Sequence, residues 1–242
     1  MKKIFFPLMI ILLVFTGCRQ VFGKRVRGSG NIKTETRDIT GFNGVDVSGA
    51  IDVYVKNDST QAVKVETDDN LLQYVETYVE SGILKIHTRN GYNIRPRRTV
   101  KVYVSSPDFQ RFEASGACDV YSENKIMGVN RVELDLSGAS DAKLELNAPE
   151  VRAEVSGAGS VELKGETKNL VLDGTGSSDF KCYDLLAETV NVHISGSGDA
   201  QVSASVKLDV RVSGAGSVRY KGNPQVDQKV TGSGSVKKAD TP

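Results

Sequence analysis

The stretch Arg131–Val236 decides the fold, and it reads as six near-copies of one segment: VELDLSGASDAKL (132–144), VRAEVSGAGSVEL (151–163), LVLDGTGSSDFKC (170–182), VNVHISGSGDAQV (190–202), LDVRVSGAGSVRY (208–220) and VDQKVTGSGSVKK (226–238). Each copy has an alternating apolar run, a small-residue motif centred on glycine, and a second alternating run. The motif glycines Gly138, Gly157, Gly176, Gly196, Gly214 and Gly232 recur at nearly constant intervals, the longest between Gly176 and Gly196. A fixed period near 20 with no helical segment marks a solenoid. One such coil cannot bury its apolar face alone, so coils must stack. Stacking places Val132, Val151, Leu170, Val190 and Leu208 in one inward column. The expected fold is all-β: a right-handed parallel β-helix with coils of about 19 residues, its hand following from the crossover rule. Glycine at the bend supplies the φ > 0 conformations that side chains resist, so Gly49, Gly116, Gly138, Gly157, Gly176, Gly196, Gly214 and Gly232 are structural turn residues.

Outward from that core the pattern loosens. Copies of the motif occur at Ser48-Gly49-Ala50 and Ser115-Gly116-Ala117, with a degenerate one at Gly28–Ile32. Between Ala62 and Val104 the alternating runs carry no motif, and a sandwich competes with the helix for this half. Glu80-Ser81-Gly82 reads as a tight hairpin turn, Asp68–Leu72 as a short helical turn or a loop, and Asn90–Arg98 as a loop. We divide the chain into a signal segment (1–17), a tether (18–27), one domain (28–237, irregular over 28–130 and regular over 131–237) and a tail (238–242).

The N-terminus carries an address. Met1-Lys2-Lys3 is a positive head, Ile4–Phe15 an apolar run too short for a comfortable span, and Thr16-Gly17-Cys18 a small-residue cleavage site. Cysteine at that place predicts lipidation at Cys18 and a membrane partner through the lipid. Residues 19–27 (RQVFGKRVR) hold four positive charges, which favour anionic headgroups. Without the signal segment the chain has 29 basic and 30 acidic side chains and no basic stripe, which argues against nucleic acid. Cys118 and Cys182 lie three coils apart, about 14 Å at ~4.8 Å per coil, too far for a disulfide.

The chemistry is sparse. Asp52, Asp119, Asp141, Asp179 and Asp199 recur at the motif, but Ser160, Ser217 and Ser235 replace the acid elsewhere. Turn side chains bonding their own backbone explain this more simply than a calcium ladder, and no metal or cofactor is expected. His87 and His193 read as strand residues, and no hydrolase, zinc or redox motif is present. A non-enzymatic binding role follows. A polysaccharide lyase or hydrolase, which needs close carboxylates in a groove, is the alternative, and a structural or sensing component of the envelope a third. Recognition is expected in the aromatic-rich half between Ala62 and Tyr121. Its best candidates are Tyr92, Arg95, Arg97 and Arg98, suited to a protein or glycan partner.

Several segments together resemble one family: Gly28–Asn31, GFNGVDVSGAIDVYV (41–55), DDNLLQYVETYVESGILKI (68–86), SGAGSVRYKGNP (213–224) and VTGSGSVK (230–237). They are similar to the "putative auto-transporter adhesin, head GIN" domain of Bacteroidetes lipoproteins. The resemblance implies a parallel β-helix on an exported, lipid-anchored protein, placed at the outer membrane with either the periplasm or the cell surface in front of it. It brings no catalytic residues.

Overall fold

The computed structural model describes residues 23–239. In chain order the strands are β1 (Lys24–Arg27), β2 (Ile32–Arg37), β3 (Gly44–Gly49), β4 (Ile51–Asn57), β5 (Ala62–Asp68), β6 (Val75–Glu80), β7 (Ile83–Thr88), β8 (Tyr92–Arg95), β9 (Val100–Ser106), β10 (Arg111–Gly116) and β11 (Asp119–Ser122). Then come β12 (Arg131–Gly138), β13 (Asp141–Gly157), β14 (Ser160–Gly176), β15 (Asp179–Gly196), β16 (Asp199–Gly214), β17 (Ser217–Lys221), β18 (Gln225–Gly232) and β19 (Ser235–Lys238). From β10 onward every pairing is parallel, and each coil lies on the one before it: the fold is a stacked β-solenoid. β13 to β16 each run unbroken from one motif to the next, so the only interruption per coil is the glycine corner.

That corner is where the backbones come closest. Gly49, Gly116, Gly138, Gly157, Gly176, Gly196, Gly214 and Gly232 stand in register, and all have φ between 80° and 132°. The N–H of the following residue donates to the glycine carbonyl of the coil below, from Ala117 to Gly49 through Ser233 to Gly214, at 2.8–2.9 Å. A Cβ on Gly176 would sit 2.6 Å from the Gly157 carbonyl oxygen. Both the dihedral and the space exclude a side chain.

Inside, the columns are aliphatic. Val132, Val151, Leu170, Val190 and Leu208 are in register and buried, as the period requires. Volume is balanced between neighbours. Phe180 stacks between Val161 and Ala200, and Gly174 leaves its ring room where Val155 and Ile194 occupy the adjoining coils. Cys118 and Cys182 are free and buried, and burial pushes the Cys182 thiol up to about 12.

Stack order departs from chain order at the N-terminal end. β3 and β4 pair with β10 and β11 on one side and with β7 and β9 on the other. The chain begins one coil in, builds the end, and then passes back over its first coil. Antiparallel strands finish that end: β6 on β7, and β5 on β9 with β2 outermost. The Ser81-Gly82 turn, with φ of 52° and 79°, closes the β6–β7 hairpin as expected. The Asp68–Leu72 region ends in a 3-10 turn over Leu72–Tyr74.

Three expectations are corrected here. Lys24–Arg27 is not tether but β1, paired in parallel with β8, and Tyr92–Arg95 is therefore strand and not loop. Gly28–Ile32 is no coil corner. Buried Asp68 accepts the N–H groups of Gly30 (2.5 Å) and Arg97 (2.9 Å), while Asp69 accepts from Ser29 and Asn31. A buried carboxylate needs such donors, and these tie the N-terminal strand to the end of the solenoid. At the other end, β18 presents an open edge, with Val226 and Val230 more than a third exposed.

Gly49 supplies an internal control, because a Cβ there would meet nothing within 4 Å although φ is 111°. Gly49→Ala should lower stability by about 1 kcal/mol from dihedral strain alone, whereas Gly176→Ala adds a backbone collision and should cost roughly 3 kcal/mol or more. Urea titrations of both variants measure the difference, and equal losses would contradict the packing explanation.

Candidate functional site

Along the long strands β13–β16 the ladder loses register at one corner, on both sides of β15, against β14 between Glu162 and Gly165 and against β16 beyond Cys182. β15 is longer than β16 between successive motifs, and its register shifts between Cys182 and Leu186 and again between Ala187 and Thr189. Tyr183–Leu185 therefore have no ladder partners on β16; Leu185 stays buried in the core beside Gly165, and Tyr183 and Asp184 form an overhang. Carbonyls freed by the shift are taken by side chains: the Ser203 hydroxyl donates to Tyr183 O (2.6 Å) and the Ser205 hydroxyl to Ala187 O (3.3 Å). Below the overhang lies a groove of about 800 Å³, mostly apolar, floored by Ala187 and Ala204 and edged by Leu186, Glu166, Glu188 and Asn223. Leu186 is 61% exposed, as Val206 nearby is 59%. Lys221 Nζ stands 4.5 Å from the centre of the Tyr183 ring, a cation–π contact at the rim. Burial raises the Tyr183 phenol, with Arg219 opposing it, so the ring enters the groove as a neutral hydrogen-bonding group.

This groove lies in the regular half, outside the Ala62–Tyr121 region where recognition was expected. Its signal was the spacing itself, since Gly176 and Gly196, which flank Tyr183, are set further apart than Gly196 and Gly214. A long coil on a short one cannot keep register at both corners, and the surplus is pushed outward.

Of the residues singled out from sequence, Cys18 lies outside the described residues. Tyr92 is half-buried against Tyr74, with ring centres 4.5 Å apart. Arg95, Arg97 and Arg98 are exposed, and none pairs with a carboxylate among the described residues. Tyr92 thus turns inward, and the arginines outward. His87 contacts Thr88 O at 3.1 Å and meets Tyr78 edge-on, and His193 stands in register between Asp173 and Arg211.

The motif acids do not bond their own turns. Asp141, Asp179 and Asp199 instead accept the N–H of the equivalent residue one coil on, Ser160 (2.8 Å), Asp199 (3.3 Å) and Ser217 (2.9 Å). Register makes this the nearer donor. Among the described residues no three His, Cys, Asp or Glu side chains converge as metal ligands.

At the N-terminal end the same column contains Asp52, Asp119 and Asp141 in succession, with Lys101 beside Asp52. Next to it Tyr103, Tyr54 and Tyr121 stack with centres 5.2 and 5.3 Å apart, and the Tyr121 hydroxyl donates to Asp119 (2.9 Å). Sequence reading missed this ladder, although Val53-Tyr54, Val102-Tyr103 and Val120-Tyr121 repeat the same dipeptide. Burial, then repulsion from Asp119, raises the Asp52 carboxyl above its ordinary 3.8, with Lys101 opposing. The native state holds that proton to higher pH than the unfolded chain, so ionising Asp52 removes stability as pH climbs above 3.8. Asp52→Asn should melt higher than the parent at neutral pH, with the gap closing as pH falls below the ordinary 3.8. Melting curves on both sides of that value test this, and a gap independent of pH would contradict it.

Comparison with known proteins agrees with this architecture. The model of the family described as "Putative auto-transporter adhesin, head GIN domain" matches residues 41–224. No curated protein matches the chain. Among solved structures, a "putative adhesin" from Bacteroides fragilis superposes with a TM-score of 0.84 at 22% identity, over 88% of this chain and 100% of the other. A "putative lipid binding protein" from Parabacteroides distasonis gives 0.70 at 24%, over 90% and 100%. A "putative adhesin" from Parabacteroides merdae gives 0.70 at 22%, again over 90% and 100%. At these identities the likeness speaks for the fold, and the family match for kinship. With the glycine-cornered solenoid and a matched region of most of its length, this chain belongs to the auto-transporter adhesin head GIN domain family.

Proposed function

We propose that this protein is an exported, lipid-anchored binding module of the cell envelope, without a catalytic step, whose ligand site is the Tyr183–Leu186–Lys221 groove. The observation that carries this reading is the register break in β15. It is the place where a uniform wall opens, exposing Leu186 above an apolar floor with a tyrosine and a lysine at the rim. Sites that hold small ligands are concave and mostly apolar, with a few polar groups for orientation. A ligand with an acyl or similar apolar chain fits the floor, with an anionic head set at Lys221 and away from Glu166 and Glu188. The family description and the names of the structural neighbours, adhesin and lipid-binding protein, point the same way. Anchoring rests on the Cys18 motif, and placement at the outer membrane on the family's envelope character.

One observation favours a second reading. Asp52 and Asp119 are in register with Lys101 adjacent, a carboxylate pair with a base such as a polysaccharide-cleaving enzyme needs. Neither carboxylate lines the Tyr183 groove. Turnover of acidic polysaccharides that vanishes in Asp119→Asn would establish this reading over the first.

Leu186→Glu, at an exposed position, should leave the fold intact and weaken binding of a fluorescent long-chain fatty acid by about tenfold or more. Equal binding by parent and variant would remove the groove from the proposal. Cys18→Ser should release the protein from membranes. Protease applied to intact cells tests the adhesin role, because a domain protected while surface proteins are cut cannot contact partners outside.

A further inference from the structure

Two basic segments far apart in sequence, 24–27 and 92–98, meet in the β1–β8 ribbon. Arg25 pairs with Asn93 and Arg27 with Arg95, in parallel register. Residues paired in this way point to the same side. Val26 and Ile94 form the half-buried side of the ribbon, with Ile94 packed on the core, which leaves Arg25, Arg27, Asn93 and Arg95 facing out. Arg97 and Arg98 continue the exposed run. No carboxylate among the described residues pairs with any of these five arginines, although the rest of the wall is laced with cross-coil pairs such as Arg152–Asp173 and Arg131–Glu150. The nearby acids are already committed. Asp68 is buried and holds the N–H groups of Gly30 and Arg97, and hydrogen bonds from Ser29 and Asn31 keep Asp69 below its ordinary range.

Five clustered, unpaired guanidinium groups repel one another and do nothing for the stack, so they call for an external anion. We infer that this face docks on anionic phospholipid headgroups, laying the antiparallel end of the solenoid against the membrane. The occupant follows from charge and reach. Guanidinium is suited to phosphate, and basic residues beside an anchor are drawn to anionic leaflets within a Debye length. Cys18 stands close before Gly23 in the chain, a reach of at most about 18 Å. A lipid at Cys18 therefore holds the ribbon within range of the headgroups. The inference rests on the anchoring proposed above, and adds to it an orientation: the Tyr183 groove, several coils further along, projects away from the bilayer.

The test uses the full lipidated protein with Asn93→Cys carrying a fluorescent label. Cys118 and Cys182 are buried, so this thiol is the one open to label once Cys18 is acylated. The protein is placed in phosphatidylcholine vesicles with or without about 30% phosphatidylglycerol, and headgroup-attached nitroxide quenches the label. Strong quenching is expected in the anionic vesicles, falling at least about threefold in neutral vesicles, in about 0.5 M salt, and in Arg25→Gln/Arg27→Gln/Arg95→Gln. These exposed positions leave the fold unaffected, which an unchanged melting curve verifies. Flotation with both vesicle types but no lipid-dependent quenching overturns docking alone and leaves the anchor standing. Failure to float with either overturns both. If soluble polygalacturonate suppresses quenching and binds the patch more tightly than the anionic vesicles do, the face is a receptor for acidic glycan and the membrane proposal falls.

Discussion

One hydrogen bond, repeated, sets the geometry of this protein: the N–H after each corner glycine donating to the glycine carbonyl of the coil below. It requires two backbones to approach with nothing between them, and it requires φ > 0 at the acceptor residue. Only glycine meets both conditions. The coil spacing, the register of the aliphatic columns and the alignment of the motif acids all follow once the corners are pinned. The N–H that Asp141, Asp179 and Asp199 each accept from the next coil is within reach because the corner has fixed that residue directly above. A position along the wall such as Arg152 or Lys143 is freer, since its contacts are exposed ion pairs that contribute about 0–1 kcal/mol each.

A repeat of this kind has two difficulties, its ends and its irregular coils, and here both depart from the uniform wall. The N-terminal end is finished by antiparallel strands and by the buried Asp68, which binds the β1–β2 connection at Gly30 and the Pro96–Arg98 segment into one unit. The same construction gathers arginines from two distant segments onto one face. The irregular coil is β15, whose surplus length cannot be absorbed in register and pushes Tyr183 and Leu186 outward. Ser203 and Ser205 satisfy the carbonyls left behind, so the groove is part of the folded structure and not a defect in it. The arginine face and the groove are then separated along the solenoid, which is the arrangement that the proposed tethered binding module needs.

Much of this was legible in residues. The period of the glycines gave the solenoid and its coil length, and the alternation gave the inward columns through Val151, Leu170 and Val190, because both are local demands of backbone and burial. The groove was half legible: the long Gly176–Gly196 interval followed by a short one announces a register conflict, whereas the side chains that it turns outward are set by contacts between coils. The tyrosine ladder was legible as a repeated Val-Tyr dipeptide and went unread, since the copies at Tyr54, Tyr103 and Tyr121 are adjacent only after the chain doubles back over its first coil.

The sequence by itself therefore determined the coil, its core and its family, because a repeat carries the same short-range instruction in every copy. Only the tertiary structure decided which coils are neighbours at the N-terminal end, that Lys24–Arg27 is a strand on β8, and that Asp68 is a buried clasp. Those features depend on contacts between segments distant in the chain, with no repeat to announce them. Their pairing follows from how the stack closes its end, where the chain must find partners for edges that no further coil will cover.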